Sequence, residues 1–108
     1  MPFAVRLTHD AERDLEEIAD YIAAQDGPAR AAGVLAKIER AILSLEEHPL
    51  RGAPVRELLA VGVREYREVF LRPYRVIYRP TGKVVHVYLI ADGRRDMASL
   101  LQRRLLGA

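Results

Sequence analysis

The sequence predicts an α+β fold of order β-α-α-β-β-β-α, with a helical hairpin packed on a small antiparallel sheet. Two periodicities predict it. Apolar residues recur every three or four positions between Ala11 and Leu45, then every second position between Val63 and Ile90. A stretch punctuated by Pro49, Gly52, Pro54 and Gly62 separates the two regimes. The chain has 108 residues, half of them hydrophobic and 30% charged, which suits one globular domain over residues 1–108 with a modest core.

Phe3, Val5 and Leu7 alternate with Ala4 and Arg6, the pattern of a short strand. Thr8 is placed to cap a helix whose first turns carry Asp10, Glu12 and Asp14 near the positive end of the dipole. Ala11, Leu15, Ile18, Ala19 and Ile22 give that helix one apolar stripe, with Arg13, Glu16, Glu17 and Asp20 outside. Gly27 breaks it and Pro28 opens a second helix, where no amide donor is needed. Ala31, Leu35, Ile38, Ile42 and Leu45 form the second stripe, which ends before Pro49. Residues 48–61 read as a connector. Val63–Leu71, Tyr74–Arg79 and Val84–Ile90 then read as an antiparallel meander, turned at Arg72-Pro73 and Pro80-Thr81-Gly82-Lys83. The third of these strands is almost wholly apolar, which predicts a position covered on both faces. Met97, Leu100, Leu101, Arg104 and Leu105 end the chain as an amphipathic helix. Val5, Leu15, Ile18, Ile38, Ile42, Val76, Val85 and Val87 are the expected core.

Composition excludes several classes. With no cysteine there is neither a disulfide framework nor a thiolate metal site. His9, His48 and His86 are too scattered for a metal centre, and no cofactor is expected. The N-terminus lacks a signal-peptide pattern, and no apolar run approaches the about 20 residues of a membrane span, so a cytoplasmic location without membrane association is expected. Net charge is only +2 but unevenly placed: residues 1–50 hold 5 basic and 10 acidic side chains, residues 51–108 hold 12 and 5. Fifteen of the 17 basic residues are arginine, and a basic half suits an acidic protein or a nucleic-acid complex as partner.

The element order and several local words resemble the RelE/ParE toxin superfamily over essentially the whole chain. They are Ala11-Glu12-Arg13-Asp14-Leu15-Glu16-Glu17-Ile18 with Tyr21, Ser44-Leu45-Glu46-Glu47-His48-Pro49, Gly52, Tyr74-Arg75-Val76-Ile77-Tyr78-Arg79 and Gly93-Arg94-Arg95-Asp96. The resemblance implies the toxin of a type II toxin–antitoxin system, held in a hetero-oligomer by a cognate antitoxin. RelE-like members cleave messenger RNA on the ribosome, whereas ParE-like members inhibit DNA gyrase without being enzymes.

The choice rests on chemistry. A metal-free ribonuclease needs a base for the ribose 2′-hydroxyl, cations for the phosphorane charge and an acid for the leaving oxygen. The RelE-like pattern resembles two lysines on the first meander strand, an arginine opening the next, an arginine after the last and a tyrosine on the final helix. Counted without gaps from Tyr74-Arg75, the arginines match Arg75 and Arg95. The lysine positions fall on Tyr66 and Glu68, and the tyrosine position falls on Leu101. This favours the ParE-like reading, a gyrase inhibitor with a ParD-like antitoxin and no sequence-specific nucleic-acid binding of its own. The alternative is a ribonuclease whose residual site is Arg75, Arg95 and Glu68.

Arg75, Arg94, Arg95, Arg103 and Arg104 form the candidate target-binding surface. The alternative is that Arg75 only pairs with Glu65 or Glu68, and that Arg94 and Arg95 only end a strand, with Asp96 capping the last helix. Tyr21, Ile22, Leu58, Leu59 and Val61 are the candidate walls of an antitoxin groove, or else ordinary core.

Overall fold

The computed structural model describes residues 2–107. The elements are β1 (Ala4–Leu7), α1 (His9–Asp26), α2 (Pro28–Leu43), a 3-10 turn (Ser44–Glu46), β2 (Ala53–Pro54), α3 (Arg56–Leu59), β3 (Arg67–Leu71), β4 (Tyr74–Thr81), β5 (Val84–Asp92) and α4 (Met97–Leu105). Thr8 caps α1 as its sequence position implies, its Oγ1 accepting the Ala11 N–H at 3.1 Å. Gly27, at φ 93°, ends α1 where a side chain would be strained, and Pro28 opens α2. Asp96 caps α4 by accepting the Ser99 N–H. No helix among the described residues is long and apolar enough to cross a membrane.

The five strands form one sheet in the order β1-β5-β4-β3-β2. The meander β3-β4-β5 is antiparallel as expected. The N-terminal strand is a correction: β1 runs parallel to β5, from Ala4 beside Val84 to Leu7 beside Val87, so the sheet is mixed. Alternation of apolar residues is the same in either direction, and no tight turn joins β1 to its neighbour to set one. The connector is also more ordered than its composition implies. It contributes the edge strand β2 and the one-turn helix α3. The first meander strand begins at Arg67 and not Val63, because the Val63 N–H bonds the Leu58 carbonyl at 2.9 Å and closes the end of α3.

Both faces of the sheet are covered. On one, Ile38, Ile42 and Leu45 of the hairpin side pack on Val69, Val76, Tyr78, Val85, Val87 and Ile90. Val5, Leu15 and Ile18 pack against this cluster while half-buried, and the other five expected core residues are fully inside. On the opposite face, Val55 and Leu58 join Met97, Leu100 and Leu101 over Ile77, Leu89 and Ala91. A bulge makes the second layer possible. Ile77 pairs with Leu89 but Tyr78 with Val87, so Tyr88 is extra, and Leu89 and Ala91 turn to the α4 side. Each fully buried Leu, Ile or Val on either face contributes roughly 1.5–3 kcal/mol.

Gly52 fastens the connector to the sheet. Its N–H donates to the Tyr78 hydroxyl at 2.9 Å, and a Cβ there would lie 2.5 Å from the Glu68 carbonyl oxygen. Only glycine permits this approach. The Arg67 guanidinium adds a bond to the Gly52 carbonyl at 2.7 Å. Together these bonds bring α3, and with it Glu57, over the sheet.

Candidate functional site

Arg75, on β4 beside β3, is 6% exposed and lies between two carboxylates. Its Nη1 and Nη2 donate to both Glu57 oxygens at 2.8 and 2.7 Å, and its Nε and Nη2 donate to the two oxygens of Glu68. Bidentate guanidinium–carboxylate bonds are the strong kind. The hydrogen-bonded Arg75 therefore holds the Glu57 carboxyl down at about 2, and Glu57 above all raises the Arg75 guanidinium further above its ordinary value. Gly93 closes the site from above, since a Cβ there would lie 2.9 Å from the Arg75 Cδ. Arg75 thus pairs with Glu68, as one sequence reading holds, and with Glu57, which sequence reasoning missed. It does not form part of an open basic surface. Arg51, Arg56 and Phe70 border an open hollow of about 480 Å³ beside it.

Two further positions of the ribonuclease pattern are taken up by packing. Leu101, on α4, is buried in the core layer between that helix and the sheet. Tyr66 packs edge-on to Tyr88 with centroids 5.4 Å apart, and burial, followed by Tyr88, raises its phenol above the ordinary value. Arg95 is exposed in the turn after β5, its N–H bonded to the Asp92 carbonyl.

Arg104 also departs from the expected surface. It is half-buried, donating to both Asp14 oxygens at 2.9 and 3.0 Å and to the Tyr88 carbonyl at 2.9 Å. Asp14 Oδ2 in turn accepts the Ile90 N–H at 3.0 Å. β1 stops pairing with β5 at Val87, so this ion pair stands in for the missing strand and satisfies the next backbone groups of β5. The hydrogen-bonded Asp14 holds the Arg104 guanidinium above its ordinary value. In the sequence Asp14 reads only as a residue that complements the helix dipole. A partner 90 positions away leaves no local trace in the sequence.

Three candidate cations remain at the surface. Arg94 is clamped on Asp92 by three bonds of 2.6–2.9 Å but is 81% exposed in its side chain, and Arg95 and Arg103 form no ion pair among the described residues. Arg94 and Arg95 line a hollow of about 510 Å³ together with Glu17, Tyr21 and Tyr74.

The five expected groove residues do not line one groove. Tyr21, 68% exposed, and buried Ile22 wall a hollow of about 670 Å³ between the hairpin and the β3–β4 turn, with Val34, Leu71 and Tyr74. Arg30, Lys37 and Arg72 rim it against a single acid, Asp26. Leu58 is buried in the opposite core layer, and Leu59 and Val61 are exposed beside it. Tyr21 thus borders two hollows, one apolar with a basic rim and one holding Arg94 and Arg95.

This architecture is that of toxins from type II toxin–antitoxin systems. A structure described as the chromosomal ParDE system from P. aeruginosa aligns with 23% identity and a TM-score of 0.70, covering 83% of this chain and 95% of that one. The RelBE2 toxin–antitoxin complex from Mycobacterium tuberculosis aligns with 26% identity and a TM-score of 0.62, covering 85% and 92%. An arginine-substituted form of E. coli toxin RelE in the free state shares the fold at 14% identity and a TM-score of 0.64, covering 97% and 100%. No curated protein sequence matches the chain. A family model described as the ParE toxin of the type II toxin–antitoxin system parDE matches residues 5–97. The chain belongs to that ParE toxin family.

Proposed function

We propose that the protein is a non-enzymatic toxin that inhibits DNA gyrase and is silenced by a cognate ParD-like antitoxin in a hetero-oligomer. The observation that carries the reading is the charge at Arg75. Its single positive charge faces two carboxylates, so the group where a ribonuclease needs net positive charge is net negative. Glu68 spends both oxygens on Arg75 and Leu101 has no proton to donate. Each missing acid–base role costs about 10²–10⁴-fold, and lost electrostatic stabilisation compounds it. Target contact then falls to Arg94, Arg95 and Arg103, whose planar forks suit carboxylate or phosphate. Purified toxin is expected to block gyrase supercoiling or stabilise cleaved DNA, and replacing Arg94 and Arg95 with alanine to weaken inhibition by at least about tenfold without unfolding. Cleavage of ribosome-bound messenger RNA in a purified translation system, with gyrase untouched, would favour the Arg75–Arg95–Glu68 ribonuclease instead.

The antitoxin is assigned to the hollow walled by Tyr21 and Ile22. Its apolar floor and basic rim call for a segment with apolar anchors and acidic flanks. Because Tyr21 also borders the Arg94–Arg95 hollow, a segment covering it covers the target surface too. Tyr21→Asp is expected to weaken antitoxin binding about tenfold or more in calorimetry, and Leu59→Asp to leave it unchanged. The reverse order of effects would move the site to α3.

A further inference from the structure

A second basic feature lies on the α4 side of the sheet. Arg6 on β1, His86 on β5 and Arg79 on β4 are successive cross-strand partners, so their side chains form one row across three strands. Their chain neighbours Val5, Leu7, Val85, Val87 and Tyr78 pack toward the helical hairpin, which turns the row to the opposite face. With strands about 4.8 Å apart, the row spans roughly 10 Å. Arg6 is exposed, Arg79 and His86 are half-exposed, and neither arginine forms an ion pair among the described residues. No carboxylate pairs with either guanidinium among the described residues, in contrast to Arg75 and Arg104. Two half-exposed tyrosines adjoin the row. Tyr88 lies 6.2 Å from His86 between ring centroids, and the Arg79 guanidinium carbon lies 5.9 Å from the centroid of Tyr66.

We propose that this row is a contact for the phosphodiester backbone of a nucleic-acid strand, with Arg6 and Arg79 on phosphates and Tyr66 and Tyr88 against the sugar and base. Unneutralised guanidinium groups beside aromatic rings, at the end of this face that α3 and α4 leave uncovered, are the chemistry of sequence-tolerant single-strand binding. An acidic peptide would use the cations and leave the half-exposed parts of both rings in water. The contact is a property of the isolated toxin, and it stands whether or not gyrase is the target.

The test is fluorescence anisotropy of the purified toxin with fluorescein-labelled single-stranded DNA, single-stranded RNA and duplex DNA of one sequence, over about 50 to 200 mM salt. Both single strands are expected to bind, with affinity falling as salt rises. Arg6→Gln with Arg79→Gln is expected to reduce the log–log salt slope on single strands by about 1.4, and Arg6→Lys with Arg79→Lys to preserve it. Tyr88→Leu is expected to weaken single-strand binding about fivefold or more at an unchanged slope. The lysine pair separates lost charge from lost folding, since a misfolded glutamine pair would appear in circular dichroism while the lysine pair still reports the slope. Absence of binding to any of the three nucleic acids overturns the proposal. So does a slope that depends on Arg94 and Arg95 and is indifferent to Arg6 and Arg79, or a preference for duplex with no effect of Tyr88→Leu.

Discussion

Replacing Arg75 with methionine is expected to lower the unfolding free energy by about 3 kcal/mol, at the low end for breaking a buried ion pair. The low end applies because Glu57 and Glu68 keep 18% and 17% of their side-chain exposure. Methionine matches much of the volume, so the loss reports the stranded carboxylates and not a cavity. The acid limb gives the sharper signature. Glu57 is held down at about 2 from an ordinary 4.5. A depressed carboxyl contributes stability that is full above pH 4.5 and is lost progressively as pH falls toward 2. Without Arg75 the Glu57 carboxylate faces Glu68 with no cation between them, the Glu57 carboxyl loses the bond that holds it down, and its protonation relieves the repulsion. The variant should therefore close the gap with the parent as pH falls. Urea unfolding from about pH 7 to about pH 3 measures this. Coincident curves would mean that the ion-pair network contributes nothing to folding, and parallel curves at a constant offset that the loss does not come from the stranded carboxylates.

Asp14→Ala is expected to cost a similar amount, about 3 kcal/mol, because it leaves the Arg104 cation half-buried and the Ile90 N–H without an acceptor. Asp14→Asn keeps a carbonyl oxygen for Ile90 and should lose about half as much. A double-mutant cycle with Arg104→Met should return a coupling of about 1–3 kcal/mol, and amide exchange at Ile90 should speed up in Asp14→Ala alone of the single variants at position 14. Additive losses in the cycle, with Ile90 protected in every variant, would reduce the pair to a surface contact.

The regular elements were legible because their signals are local. The stripe from Ala11 to Ile22, the Gly27-Pro28 junction and the alternation through Val85 and Val87 each declare themselves within a dozen residues. β2 and α3 were hidden by size, at two and four residues too short for any periodicity. The direction of β1 was hidden by symmetry, since pleat alternation carries no polarity. The site was legible mainly as residue types. Arg75 pairs with Glu68 as its place in the sequence allows, but its second partner Glu57 sits on the unforeseen α3. The grouping of Tyr21 with Leu58 failed because both look like amphipathic surface in sequence, and only the two-layer packing separates them. Burial of Asp14 was invisible because acidic residues near a helix start usually face water.

The parallel seating of β1 beside β5 also shapes how the chain reaches its native state. The contacts that join α1 to α2 are local in sequence, yet the sheet surface the hairpin packs on is finished only when β5 lies beside β1. The bonds that seal this junction, Ile90 to Asp14 and Arg104 to Asp14, join residues 76 and 90 positions apart. Closing such long loops costs entropy before any of the contacts form, so these contacts are expected to form more slowly than the local ones of the helices. Until then the inner stripes of both helices lack their floor, and the partly made chain offers hydrophobic surface that other molecules can capture.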